Sequence, residues 1–221
     1  MVGAVGIQAA KAGEVVHGAS PSFDPAASQS VASPLSDNRS AACRATLLSH
    51  EEKLSTKIKA GTLLAQPTDE NPFADWSAHL FLADRTQYIL LSNTKSLYST
   101  VMYGKGITDD SRFIQRALSN LREFMEDDGL ALVYHRFIAP ASASVRFAKA
   151  LDRSVTGSMN ELIVFAKFRL ADGDISPFDV GFKLNDVIIS SLSSSKFDKY
   201  AKPKDAFQDL VDGVGANHGS S

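Results

Sequence analysis

Cysteine is nearly absent. Cys43 stands alone, so no intramolecular disulfide can form and no thiolate-rich metal site can be built. That scarcity fits a cytoplasmic setting. Long apolar runs are missing too: the longest, such as Leu162–Ala166 and Tyr88–Leu91, fall far short of the ~20 residues a membrane span needs. Met1–Ala12 is mildly apolar, but its one base, Lys11, follows the apolar part, the reverse of a secretory signal. Charge of one sign is also lacking. A formal net charge of −2 gives no bulk attraction to nucleic acid or membrane.

Catalytic signatures are absent as well. There is no G-x-S-x-G elbow, and His50-Glu51 lacks the second histidine of a zinc protease motif. His17, His50, His79, His135 and His218 are scattered. The sequence implies no metal site, no cofactor and no identifiable catalytic residue, and it leans against an enzyme.

What is present is a globular composition, 44% hydrophobic and 22% charged, in a chain of 221 residues that suits one domain. Residues 1–42 read as a disordered leader, because Ala, Ser, Gly and Pro fill 24 of the 42 positions without periodicity. Residues 43–211 read as a single α+β domain, and 212–221 as a disordered tail. The expected architecture is a small antiparallel β-meander of about four to five strands packed with about four helices.

The elements follow from local patterns. Cys43–Leu48 reads as a strand. Ser49-His50-Glu51-Glu52 has capping-box form before a helix of about ten residues that ends at Gly61. Strands follow from Trp76, over Gln87–Leu91 and over Ser96–Tyr103, with short polar turns between them. Thr108 is placed to cap the next helix. That helix has the strongest period in the chain, with Ile114, Ala117, Leu118, Leu121, Phe124 and Met125 on one face and Gly129 at its end. Leu130–Ile138 fits a helix or a strand, and Val145–Ala150 a fourth strand of the meander sheet. A helix over about 155–171 buries Val155, Met159, Leu162, Ile163, Ala166 and Leu170. The stretch around Leu184–Ile189 reads as irregular, and Pro203 opens a last helix.

One motif is distinctive: Asp152-Arg153-Ser154-Val155-Thr156-Gly157-Ser158-Met159-Asn160-Glu161. It resembles the signature of a bacterial domain family of unknown function, close to Asn-Arg-Ser-Val-Leu-Gly-Ser-Met-Asn-Asp. Leu90–Ser99 is similar to that family's strand–turn–strand segment, and Leu184-Asn185 with the Pro203 helix to its closing elements. The resemblance implies a fold but no activity.

Read for its chemistry, the motif turns a strand into a helix. Ser158 and Glu161 have capping-box spacing, and Gly157 can take a backbone shape other residues avoid. Arg153, Ser154, Gly157, Ser158 and Asn160 then become candidates for an anion or phosphate site, since free amides, a helix dipole and a guanidinium are what an anion needs. The competing reading makes the same residues architectural.

Secondary candidates are Lys105, in Gly104-Lys105-Gly106, and Asn93, although both positions are also what plain turns require. The acidic group Glu123, Glu126, Asp127 and Asp128 reads as a solvated helix end rather than a metal site. Three functional readings remain: a non-catalytic binding module, with a protein partner favoured over nucleic acid; an enzyme or binder of phosphorylated or nucleic-acid ligands; and a structural or assembly protein.

Overall fold

The computed structural model describes residues 3–9, 43–47, 52–60, 64–65, 71–143, 145–149, 153–171, 173–192 and 201–217. In chain order these form β1 (Gly3–Ala9), β2 (Cys43–Leu47), α1 (Glu52–Ile58), β3 (Leu64–Ala65), β4 (Trp76–Ala83), β5 (Thr86–Asn93) and β6 (Ser99–Tyr103). Then come α2 (Asp110–Asp127), α3 (Ala131–Val133, continued by a π-helical turn over Tyr134–Ile138), β7 (Val145–Lys149), α4 (Arg153–Ala171), α5 (Pro177–Asn185) and α6 (Pro203–Asn217). The α+β class holds, with about five to six helices where the sequence suggested about four.

Strands β4, β5 and β6 are the expected antiparallel meander. Ala78 faces Leu91 across the first pair, and Leu90 faces Val101 across the second. The strand order runs β3-β7-β1-β2-β4-β5-β6, so β7 lies across the sheet from the meander. Within the span expected as a leader, Gly3–Ala9 is a strand antiparallel to β2 and β7, which composition did not signal. The rest of that span lies outside the described residues, as do the Ser49–Glu51 part of the first capping box and residues 218–221.

Helices cover both faces of the meander, so its strands are apolar on both sides. Successive residues of a strand point to opposite faces. Ile89 and Leu91 accordingly join one core with Leu54, Ile58, Leu121, Phe124 and Phe207 from α1, α2 and α6. Tyr88 and Leu90 join a second core with Met159, Leu162, Ala166 and Leu170 of α4. Each fully buried Leu or Phe contributes roughly 1.5–3 kcal/mol by leaving water. The face predicted for α2 is the buried one, and Gly129 ends the helix at a φ of +78°.

The structure corrects several boundaries. Asp109, not Thr108, caps α2: its carboxylate accepts the Arg112 backbone N–H at 2.9 Å, while the Thr108 hydroxyl donates to Asp109. That backbone bond, above all, lowers the Asp109 pKa. Ala131–Ile138, within the stretch that fitted a helix or a strand, is helical. Helix α5 ends on Leu184 and Asn185, the first two residues of the stretch expected to be irregular, and residues 186–189 are irregular. The helix itself was not among the expected elements, although its start is legible: Ser176 accepts the Asp179 N–H at 3.1 Å and Pro177 occupies the first turn. Helix α6 runs to Asn217, into the span read as a tail.

Candidate functional site

The β5–β6 turn is organised by Asn93. Its amide nitrogen donates to the carbonyls of Pro72 (2.8 Å) and Asp75 (3.3 Å). Its side-chain oxygen accepts from the backbone N–H of Lys95 and Ser96 and from the Ser96 hydroxyl. A fully buried amide with all this capacity engaged holds the turn. Around it sits a largely buried polar set: the Thr94 hydroxyl donates to Asp75 and accepts from Ser77 at 3.1 Å, and the Ser99 hydroxyl donates to the Leu97 carbonyl and accepts from Ser92 at 2.6 Å.

Asn185 of α5 extends this set to the sheet edge. Its side chain accepts from the Ser99 N–H at 2.7 Å and donates to the Ser99 carbonyl at 3.0 Å, as a neighbouring strand would. Gly181 lets α5 come this close: a Cβ there would stand 2.7 Å from the Phe124 ring and 3.2 Å from the Thr100 backbone. A helix thereby covers an edge that would otherwise be open to pairing.

The acidic group at the end of α2 is divided among separate partners. Glu126 takes Arg122 at 2.8 Å and His135 at 3.4 Å. Asp128 accepts the Tyr98 hydroxyl at 2.7 Å and Lys204 at 2.6 Å. Burial, then Asp128, pushes the Tyr98 pKa up, so its phenol stays protonated. Lys105 is exposed in the turn before α2, where its carbonyl accepts from Arg116 at 2.6 Å.

The distinctive motif lies differently from its expected place. Helix α4 starts at Arg153, five residues before Ser158. Gly157, Ser158 and Asn160 are therefore inside the helix, and the capping box at Ser158 and Glu161 is not formed. Ser158 is buried and its hydroxyl donates back to the Ser154 carbonyl at 3.0 Å. The helix begins at Arg153, so the positive end of its dipole lies there rather than at residues 158–161. Arg153 contributes its backbone to that turn; its side chain is not among the described parts.

The structure then separates the motif's residues by face. Thr156, Ser158 and Met159 point inward, whereas Ser154, Gly157 and Glu161 are exposed. The same outward face continues through Val164, 68% exposed, and Phe168, 66% exposed. Gly157 has no positive φ, and no described atom lies within 4 Å of where its Cβ would be. Among the described residues, neither backbone shape nor packing requires a glycine there. The signal for this second face was in the sequence: Val164 and Phe168 are apolar residues left over once Met159, Leu162, Ile163, Ala166 and Leu170 fill the buried face.

One buried titratable group lies under α4. His79 of β4 is 8% exposed, and its Nδ1 has no hydrogen-bond partner among the described residues. Burial first, and the charge of Lys167 second, lower its pKa to about 4, so the ring is neutral at pH 7. Among the described residues no group of three or more His, Cys, Asp or Glu side chains could hold a metal ion, and no helix is long and apolar enough to cross a membrane.

No curated protein and no solved structure matches the chain at a significant level. A family profile does match, over residues 48–206, from α1 to the first residues of α6 and through the whole meander, α4 and α5. On that match, which spans well over half of the 221 residues, the chain belongs to the family described as domain of unknown function DUF6933.

Proposed function

We propose that this domain is a non-catalytic binding module whose partner is a protein, and that it meets that partner through the outward face of α4. The observation that carries the reading is the pairing of Val164 and Phe168, four residues apart and both about two-thirds exposed, on a helix whose opposite face is fully committed to the core. Two large apolar side chains one turn apart make a patch, not a scatter, and such patches mark interaction surfaces. Gly157 on the same face supports the reading: a mid-helix glycine costs about 1 kcal/mol relative to alanine, and here the fold gains nothing visible from it.

A photo-cross-linking side chain placed at Val164 in the source cells tests this. Leu132, 85% exposed on α3 and outside the patch, is the control position. Protein adducts from 164 that are absent from 132, and that are lost in Phe168→Glu, support the module. Equal or no adducts from both positions contradict it.

A second reading, an anion or phosphate grip by Arg153, Ser154, Gly157, Ser158 and Asn160, draws support from the positive end of the α4 dipole at Arg153 and from the exposure of Ser154. Millimolar phosphate or a short oligonucleotide that raises the unfolding temperature of wild type, but not of Arg153→Ala, would favour it.

A further inference from the structure

Resting on the α4 binding reading, we infer that the partner is a second copy of this chain, joined through antiparallel pairing of α4 with α4. The face is self-complementary in charge and in shape. A two-fold axis passing at Val164 sets Glu161 against the second copy's Lys167, and by symmetry Lys167 against the second copy's Glu161. All four side chains are exposed in the single chain, so they are free to meet. The same axis places Gly157 opposite Ala171 and brings Phe168 over Asn160.

The hollow that receives Phe168 has the spacing helix packing requires. Gly157, Asn160, Glu161 and Val164 stand at i, i+3, i+4 and i+7, the diamond into which a facing side chain inserts. Gly157 leaves one corner of that diamond open, with no described atom near its missing Cβ. This accounts for a glycine the fold does not use. It also accounts for Val164, which meets its own copy on the axis. From Gly157 to Ala171 the seam runs about 21 Å at 1.5 Å per residue, and two-fold closure is the commonest symmetry of soluble assemblies. A single helix pair lies at the small end of stable interfaces, so the dimer is reversible on dilution.

Sedimentation velocity of the full chain, from about 1 to 300 μM, spans the range in which a micromolar dissociation constant is visible. The expected result is a monomer–dimer equilibrium in wild type and a monomer throughout for Phe168→Glu. Glu161→Lys and Lys167→Glu should each weaken the dimer ~10-fold, because each places like charges together twice. Combining both reversals should restore it to within about threefold, since the opposite charges meet again with the signs exchanged. Wild type that is monomeric over the whole range, a dimer indifferent to Phe168→Glu, or a double variant no better than the singles overturns the proposal. Monomeric wild type that still cross-links from Val164 to a different protein removes self-pairing alone. Loss of both dimer and adducts removes the binding reading as well.

Discussion

Gly157 and Gly181 both sit inside helices, yet their surroundings oppose each other. A Cβ at Gly181 would press on the Phe124 ring and the Thr100 backbone, whereas one at Gly157 meets no described atom. Gly181→Ala should therefore destabilise by about 1–3 kcal/mol, and Gly157→Ala should stabilise by about 0.5–1 kcal/mol, both read from urea midpoints. A stability loss in Gly157→Ala would mean that the fold does need that glycine. His79 gives a second residue-scale expectation. Its pKa is about 4 in the fold, against 6.5 in its absence, so between those values the unfolded chain binds more protons. Its contribution is complete above pH 6.5 and is lost as pH falls toward 4, at a slope of up to ~1.4 kcal/mol per unit. In His79→Leu that part of the slope between pH 6.5 and 4.5 should vanish; an unchanged slope would place the titration elsewhere. Neither residue's setting was legible beforehand. Gly157 looked like the pivot of a turn because Ser158 and Glu161 carry capping spacing, and only the helix start at Arg153 shows the motif to be interior. The burial of His79 depends on α4 lying over β4, a long-range contact that no local pattern encodes.

At the scale of elements, legibility follows how one-sided each segment is. Helix α2 buries one face and exposes the other, so its period identified Ala117, Leu121, Phe124 and Met125 as buried and Gly129 as its end, while it missed the buried Phe113 and included the half-buried Ile114 and Leu118. Leu121 is fully buried mid-face, and Leu121→Ala should cost about 2–5 kcal/mol by transfer and cavity terms in a denaturant titration. A change below about 0.5 kcal/mol would contradict the placement of that face. Helix α4 is apolar on both sides, because one side packs under the meander and the other carries Val164 and Phe168, and a period analysis of such a helix reports only the stronger face. Helix α5 wedges between the two cores, giving Phe178 and Phe182 to one and Val180 and Leu184 to the other. Its apolar residues ring the helix and mask the period, although Ser176 and Pro177 announced its start.

The whole molecule is a meander with helices on both faces, its β6 edge closed by Asn185 and Gly181 of α5. The α+β class and the three central strands were readable, since alternation and turn residues are local. The pairing of Gly3–Ala9 with β2 and β7 was not, because small residues in a strand carry little β signal. At this scale the account divides α4 into a face that builds the domain and a face that serves a partner. Urea unfolding of the Val164→Ser, Phe168→Ser double variant, at a dilution where the chain is monomeric, tests that division most directly. The account predicts a stability within about 0.5 kcal/mol of wild type, as for exposed positions away from packing. A loss of more than about 2 kcal/mol would show that these side chains belong to the fold and would leave no face of α4 for a partner.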